Sequence, residues 1–511
     1  MPLLQSLQAG QPVPFGGDRF STVSPELAAA FRPGDRLYVV QSTGNLLHVT
    51  ADVHALVTDC VDQAAKAAAA LRTTPAARVV KFYRVFAERL VEHWDAIASA
   101  NAADVDRAQV LGRSTTRLRV DRRMREDMVA GLEAWADLVE SQVEAGQSGL
   151  AGEELDFVDH GDWQVATVTA PLGVIGFVFE GRPNVFADSA GVLATGNAAV
   201  LRIGGDALHT AQAIVDHALA PALAESGLPA GALSLVPSRE RSAGYALFSD
   251  RRVSLAVVRG SGRAVAELSS VAQQAGIPVS AHGTGGAWLY ADLDADAERF
   301  AAVVCNSLDR KVCNTLNVAA VSRARAEELL PLLVQAADRA AAGLRPGARA
   351  RIHVAAGSGA PLGLGSAPES TDTIDVVRAE GVVAEPRITV LPIDELGHEW
   401  EWEGTPELSV VVVEDMDEAV ELFNAYSPQF VASLISESPE AHERFRAGVN
   451  APFVGDGFTR WVDGQYALGE TELGLSNWER GRLLGRSGVL TGGDLTARRI
   501  FAHHADPAQH R

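Results

Sequence analysis

Three cysteines occur in the chain, Cys60, Cys305 and Cys313, and their settings differ. Cys313 stands in RKVCNTLNV (Arg310 to Val318), in a loop between a helix-like and a strand-like segment. A thiolate there can add to a carbonyl carbon and hold an acyl group as a thioester. Cys60 falls on the apolar stripe Val53, Leu56, Val57, Val61, Ala64, and Cys305 in the rhythm of Phe300, Val304 and Leu308, so both read as core. Arg310 and Lys311 directly precede Cys313. Such a pair either lowers a thiol pKa and attracts an anionic substrate, or is simply solvated, and both readings stay open. Asn184 follows Pro183 at the mouth of a helix, either as its cap or as an amide donor to an oxyanion. Two strand ends run into glycine: VLRIGGDAL with Arg202, Gly204, Gly205 and Asp206, and VVRGSGRAV with Gly260, Ser261 and Gly262. Glycine lets backbone approach a phosphate, and a helix N-terminus favours its charge. Either turn alone is an ordinary βα connection; with two on adjacent strand ends, ordinary turns and a dinucleotide site both stay open. No His/Cys/carboxylate cluster has metal-ligand spacing, so no metal is expected.

The elements that must position these residues follow from periodicity. A strand-bearing N-terminal segment precedes a helix carrying the Val53–Ala64 stripe, then helices over about 75–100 and 122–144. LDFVDHGDWQVATVTA (Leu155 to Ala170) reads as a hairpin. From Pro171, strands GVIGFVF, AAVLR, LSLVP and SLAVV alternate with helices, which predicts a doubly wound parallel sheet binding ligands beyond its carboxyl ends. A second α/β half is expected from about residue 291, with strands at TLNVAAV, RITVLP, LSVVVV and FVASLIS. The segment 343–372, rich in Gly, Pro, Ala and Ser, reads as a long surface loop.

With 511 residues the chain exceeds what one core usually supports. Hydrophobic residues at 47% and charged residues at 21% are enough for large cores. A net charge of −21 argues against nucleic acid or an anionic membrane as partner. No run reaches the roughly eighteen apolar residues of a membrane span, and the first residues lack a charged region followed by an apolar one, so no signal peptide is expected. Three cysteines without a CxxC pair fit a reducing compartment, hence a cytoplasmic protein.

APLGVIGFVFEGRPNVFADSAGVLATGNAAVLR and RKVCNTLNV resemble the glutamate-5-semialdehyde dehydrogenase (gamma-glutamyl phosphate reductase) branch of the aldehyde dehydrogenase superfamily. The likeness continues through AHGTGGAWLYAD, MDEAVELFNAYSPQFVASLI and FTRWVDGQYALGETELGLS, in order from about residue 165 to 480. It implies an aldehyde dehydrogenase-like α/β fold: a Rossmann-type cofactor domain (1–150 and 167–290), a second α/β catalytic domain (291–480), and a small β oligomerisation arm and tail (151–166 and 481–511). It implies Cys313 as nucleophile and Asn184, with the Cys313 N–H, as the oxyanion hole. Cofactor contacts fall at Arg202 to Asp206 and Arg259 to Gly262, and Arg460 joins Arg310 and Lys311 as a substrate candidate. The partner would be a small-molecule aldehyde or acyl phosphate, and the assembly a homodimer or homotetramer.

Hydrolytic relatives use a glutamate upstream of the cysteine to activate water. Leu268 to Ala291 holds no Asp or Glu, and His282 and Gly283 occupy the aligned region, His282 reading as structural. Without a placed carboxylate, phosphate or a thiol is the better acyl acceptor. The expected activity is NAD(P)-dependent interconversion of an aldehyde and an acyl phosphate, with an acylating enzyme using CoA or a carrier protein as the alternative. Asn317 stands where a glutamate is common in the branch. Arg202 favours NADP(H) by pairing a 2′-phosphate, whereas Asp206 could accept ribose hydroxyls and favour NAD(H).

Overall fold

In a computed structural model of the chain, the described residues are 3–113, 115, 118–145, 152–181, 183–363, 367–378, 381–461, 468, 472–479, 481–483 and 485–505. They form two compact units: Met1–Gly283 with Thr471–Gly474 and Leu490–Arg511, and Thr284–Glu470 with Leu475–Val489.

The first unit is built on five parallel strands: β1 (Val174–Phe179), β2 (Ala198–Ile203), β3 (Leu233–Leu235), β4 (Val253–Arg259) and β5 (Val279–His282). Their spatial order is β5-β4-β1-β2-β3. The chain therefore winds outward from β1 to β3, then returns to β4 on the other side of β1. That reversal makes the carboxyl ends of β1 and β4 the switch point where such sheets open a crevice. Every residue of β1 and β2 is buried, as expected of strands covered on both faces. Helices α1 (Ala51–Leu71), α2 (Ala76–Glu92), α3 (Trp94–Val110) and α4 (Arg122–Glu144) share one apolar core with the sheet. Cys60 is half-buried against that core, and burial, then Asp59, pushes its thiol pKa up. A three-stranded antiparallel sheet of Glu154–Asp159, Trp163–Pro171 and Thr496–His504 also belongs to this unit.

The second unit carries seven parallel strands: β6 (Ala287–Ala291), β7 (Leu316–Ser322), β8 (Arg351–Ala355), β9 (Ile388–Leu391), β10 (Glu407–Val413), β11 (Val431–Ile435) and β12 (Phe453–Gly455), in the order β9-β8-β10-β7-β6-β11-β12. Alternate residues enter separate cores. Leu289, Ala319 and Val410 face one cluster; Trp288, Val318 and Val411 face the other. Among the described residues no helix is long and apolar enough to cross a membrane.

Four expectations need correction. The helix expected over 75–100 is two, broken at His93 (φ −105°, ψ 16°). No Gly or Pro marks the break, and Trp94 is buried just beyond it. The second half begins at Thr284, because β6 pairs with β7 and β11; a buried parallel strand has no pattern that says which sheet it will join. The segment 343–372 contains β8, seated between β9 and β10. Its Arg351 and His353 interrupt the apolar run, and both are satisfied by Glu407. The tail divides differently too: Leu475–Val489 lies in the second unit and Leu490–Arg511 in the first.

Candidate active site

The candidates fall on both units, and each unit is described by itself. In the first, α5 (Val185–Ala190) follows β1, and α6 (Gly262–Gln274) follows β4. Asn184, Arg202–Asp206 and Arg259–Gly262 lie at or just past the carboxyl ends of β1, β2 and β4, and β1 stands between the two glycine turns, which were expected on neighbouring strands. Asn184 is not used as a cap; its Nδ2 donates to Asp188 Oδ2 at 3.3 Å. Both turns are closely packed at their glycines. A Cβ on Gly205 would stand 3.0 Å from the Arg239 carbonyl oxygen, and one on Gly260 would stand 2.7 Å from the Glu180 carboxyl carbon. Glu180 lies across the first turn of α6, accepting from the Ser261 N–H at 2.9 Å and the Ser261 hydroxyl at 3.4 Å. A carboxylate thus already occupies the electropositive helix end that suits an anion.

Arg202 is buried and donates through Nη2 to the Glu240 carbonyl at 3.1 Å, while its buried Nε has no hydrogen-bond partner. Burial, then the neighbouring Arg241, lowers its pKa. A charge held under that stress is stabilised by an anion. Asp206, by contrast, is engaged: its carboxylate pairs with Arg113 and its carbonyl accepts from Arg107. Arg259 is ion-paired with Glu472. His282 is buried at the end of β5, and its carbonyl accepts from the Gly260 N–H. Close-approach glycines and a buried arginine with an unmet donor together fit a phosphorylated dinucleotide.

In the second unit, Cys313 lies between α7 (Ala297–Asn306) and β7, half-buried against Ala287, Phe430, Val431, Phe453, Leu475 and Val489. The loop winds around one hydroxyl: Thr315 Oγ1 accepts from the Val312 N–H at 2.9 Å and donates to the Arg310 carbonyl at 2.6 Å. The Cys313 carbonyl accepts from the Gly286 N–H at 2.7 Å. Gly286 has φ +101°, a conformation that favours glycine.

The cations expected here have separate fates. Arg310 is exposed. Lys311 is not; its side chain is 8% exposed, and Nζ donates to Glu399 Oε1 at 2.6 Å. Arg460 meets the nucleophile loop, with Nε on Asp309 at 2.7 Å and Nη1 on Asn314 Oδ1.

Sequence reasoning missed Glu399. Its other oxygen accepts from the Gly285 N–H at 2.7 Å, and Gly285 packs directly on the Cys313 backbone. Asn317 holds it there, donating through Nδ2 to the His398 carbonyl at 2.8 Å and accepting the Trp400 N–H at 3.0 Å. The residue that departs from the branch's common glutamate therefore fastens both sides of a different carboxylate. Nothing in local spacing links Glu399 to a cysteine 86 positions earlier. Arg239 and Arg241 were missed for the same reason. Chemically, the loop offers a thiol on a backbone pinned from two directions, with a half-buried ion pair beside it.

The model of the aldehyde dehydrogenase family matches residues 40–350. Gamma-glutamyl phosphate reductase of Paramagnetospirillum magneticum (strain ATCC 700264 / AMB-1) is 30% identical over 436 residues, covering 83% of this chain and 92% of that protein. The enzyme of the same name from Acidiphilium cryptum (strain JF-5) is 28% identical over 433 residues, covering 84% and 92%. In three dimensions the chain is similar to the crystal structure of gamma-glutamyl phosphate reductase from Thermotoga maritima, with a TM-score of 0.71 at 23% identity, covering 89% of this chain and 99% of that one.

Proposed function

The chain belongs to the aldehyde dehydrogenase family, and from that membership we propose that it interconverts glutamate-5-semialdehyde and gamma-glutamyl phosphate through a thioester on Cys313. The observation that carries this reading is the match to relatives named gamma-glutamyl phosphate reductase along 92% of their own length. The enzyme is an NAD(P)-dependent oxidoreductase. When bound, the cofactor supplies or accepts the hydride.

In the reductive direction, the Cys313 thiolate attacks the acyl carbon of the acyl phosphate. The C–S bond forms, the C–O bond to phosphorus breaks, and phosphate leaves with that oxygen. The Cys313 backbone N–H holds the developing oxyanion, and Asn184 is the second donor on the family motif, with one of its two amide hydrogens on Asp188. Reduction of the thioester gives a thiohemiacetal, whose collapse releases aldehyde and returns the thiolate. In the oxidative direction phosphate attacks the thioester. Both oxygens of Glu399 are held, by Lys311 and by Gly285, so this carboxylate does not serve as a base for water. That supports phosphate over hydrolysis.

The finer cofactor reading is NADP(H). Arg202 with its unmet donor, flanked by Arg241, suits a 2′-phosphate, and Asp206 is already paired with Arg113. The homo-oligomer rests on the antiparallel arm, which exposes Phe157 and Phe501 on one face and Val158 and Ile500 on the other, apolar surface suited to a second copy. The three cysteines are free, which supports a cytoplasmic location.

The test follows nicotinamide absorbance with glutamate-5-semialdehyde, in NADP+ and in NAD+, with and without phosphate, beside Cys313→Ala. Phosphate-dependent cofactor reduction that disappears in the variant is expected. Turnover that needs CoA instead of phosphate would replace the acyl acceptor, and turnover that survives Cys313→Ala would refute the thioester.

A further inference from the structure

We propose that Glu399 is a positioning residue that sets the ionisation of Cys313 by clamping Lys311 and the Gly285 amide against the nucleophile loop. The clamp has three ends. One carboxylate oxygen takes the Lys311 ammonium at 2.6 Å, the other takes the Gly285 N–H at 2.7 Å, and a Cβ on Gly285 would stand 2.8 Å from both Cys313 Cα and its carbonyl oxygen. The carboxylate is itself held in place by the two Asn317 hydrogen bonds to His398 and Trp400. Trp400 is anchored in turn, its ring stacked on His353 at 3.5 Å and its Nε1 donating to Ser409 Oγ at 2.8 Å.

This arrangement puts one positive and one negative charge against the backbone that carries the thiol, both largely shielded from water: the Lys311 side chain is 8% exposed and Glu399 18%. Charges in such a setting act on a neighbouring titration far more than exposed ones do. The remaining charged groups of the unit near the loop are arranged differently. Arg310 is exposed on the loop itself. Arg460 is neutralised by Asp309 while bound to Asn314. The ring of His398 packs on Trp400, and Glu401 follows on the same segment. Lys311 and Glu399 thus form a balanced pair in which either partner, left alone, biases the thiol. The ammonium alone favours thiolate, and the carboxylate alone disfavours it.

The inference rests on Cys313 as the nucleophile and deepens that reading. Its test does not use turnover. The full-length protein is alkylated with iodoacetamide across pH, and the modification of Cys313 is followed by peptide mass spectrometry. E399Q should move the midpoint of the rate profile acidward by about one pH unit, and K311M alkaline by about as much. K311M/E399Q should return near the wild-type midpoint, and K311R should hold it. A role in folding alone would move both single variants the same way, with no return in the double; that result, or two unmoved midpoints, overturns the proposal. If K311M does not fold, E399Q still decides, since an alkaline or absent shift refutes it. Loss of turnover in Cys313→Ala tests the nucleophile separately, so the two readings fail by different experiments.

Discussion

Gly285→Ala tests how tightly the backbone beside the nucleophile is packed. The added Cβ would stand 2.8 Å from Cys313 Cα and from its carbonyl oxygen, and 2.9 Å from Glu399 Oε1. Ordinary contact begins near 3.4 Å, so something must yield by about 0.6 Å. The carboxylate can swing only by giving up Lys311 or the Gly285 N–H. The Cys313 backbone can retreat only by stretching its bond from Gly286. Overpacking of this kind costs about 1–3 kcal/mol. Because a 1 Å displacement of reacting groups can cost on the order of a hundredfold in rate, a shift of this size should lower kcat by roughly tenfold or more. The assay is steady-state turnover with glutamate-5-semialdehyde, NADP+ and phosphate, together with fluorescence titration of NADPH. The expected result is a lower kcat with unchanged dinucleotide affinity, since the dinucleotide candidates lie on the other unit. A variant with wild-type kcat would refute the packing argument, and one that loses both properties would show general unfolding.

Arg241→Ala should weaken NADPH binding by about tenfold while leaving NADH nearly unchanged, as read by dihydronicotinamide fluorescence; equal losses for both would remove the 2′-phosphate assignment. Asn317→Ala leaves the His398 carbonyl and the Trp400 N–H unmet and should cost about 1–3 kcal/mol in urea denaturation, together with an acidward shift of the Cys313 alkylation midpoint as Glu399 withdraws from Lys311. The network at β8 makes stability depend on pH. Burial, set partly against its hydrogen bond to Glu407, lowers the pKa of His353. A neutral histidine that resists protonation when folded binds fewer protons than the unfolded chain, so stability falls as pH drops below about 6.5. For Glu407, burial works to raise the pKa, but hydrogen bonds from His353 and Arg378 outweigh it and the net direction is down; that contribution is lost at lower pH, as the folded carboxylate is finally protonated. His353→Gln should therefore flatten the dependence of the urea midpoint between pH 7 and pH 5, and an unchanged slope would contradict this reading.

Much of the architecture was legible because it is written locally. The strands β1, β2 and β4 are largely apolar runs, the last two ending in glycine-rich turns, and α4 spans the range its periodicity predicts. The loop bearing Cys313 was recognisable from its flanking elements. What escaped depended on partners far along the chain. β8 looked like loop because Arg351 and His353 are polar, and their place in a sheet makes sense only once Glu407 of β10 is beside them. Lys311 was read as a cation for substrate or solvent, and the structure gives it to Glu399. Asp206 was open to a ribose reading until Arg113 paired with it.

The sequence by itself determined that the chain alternates strands and helices, that glycine turns close two of the strands, and that a single thiol stands in a loop suited to attack. Periodicity and turn chemistry act over a few residues, so they survive in one dimension. The tertiary structure alone decided which sheet β6 joins, where β8 sits, and that Asn317 carries a carboxylate to the nucleophile loop. Those outcomes come from hydrogen bonds and packing between segments tens of residues apart, whose partners no local pattern names.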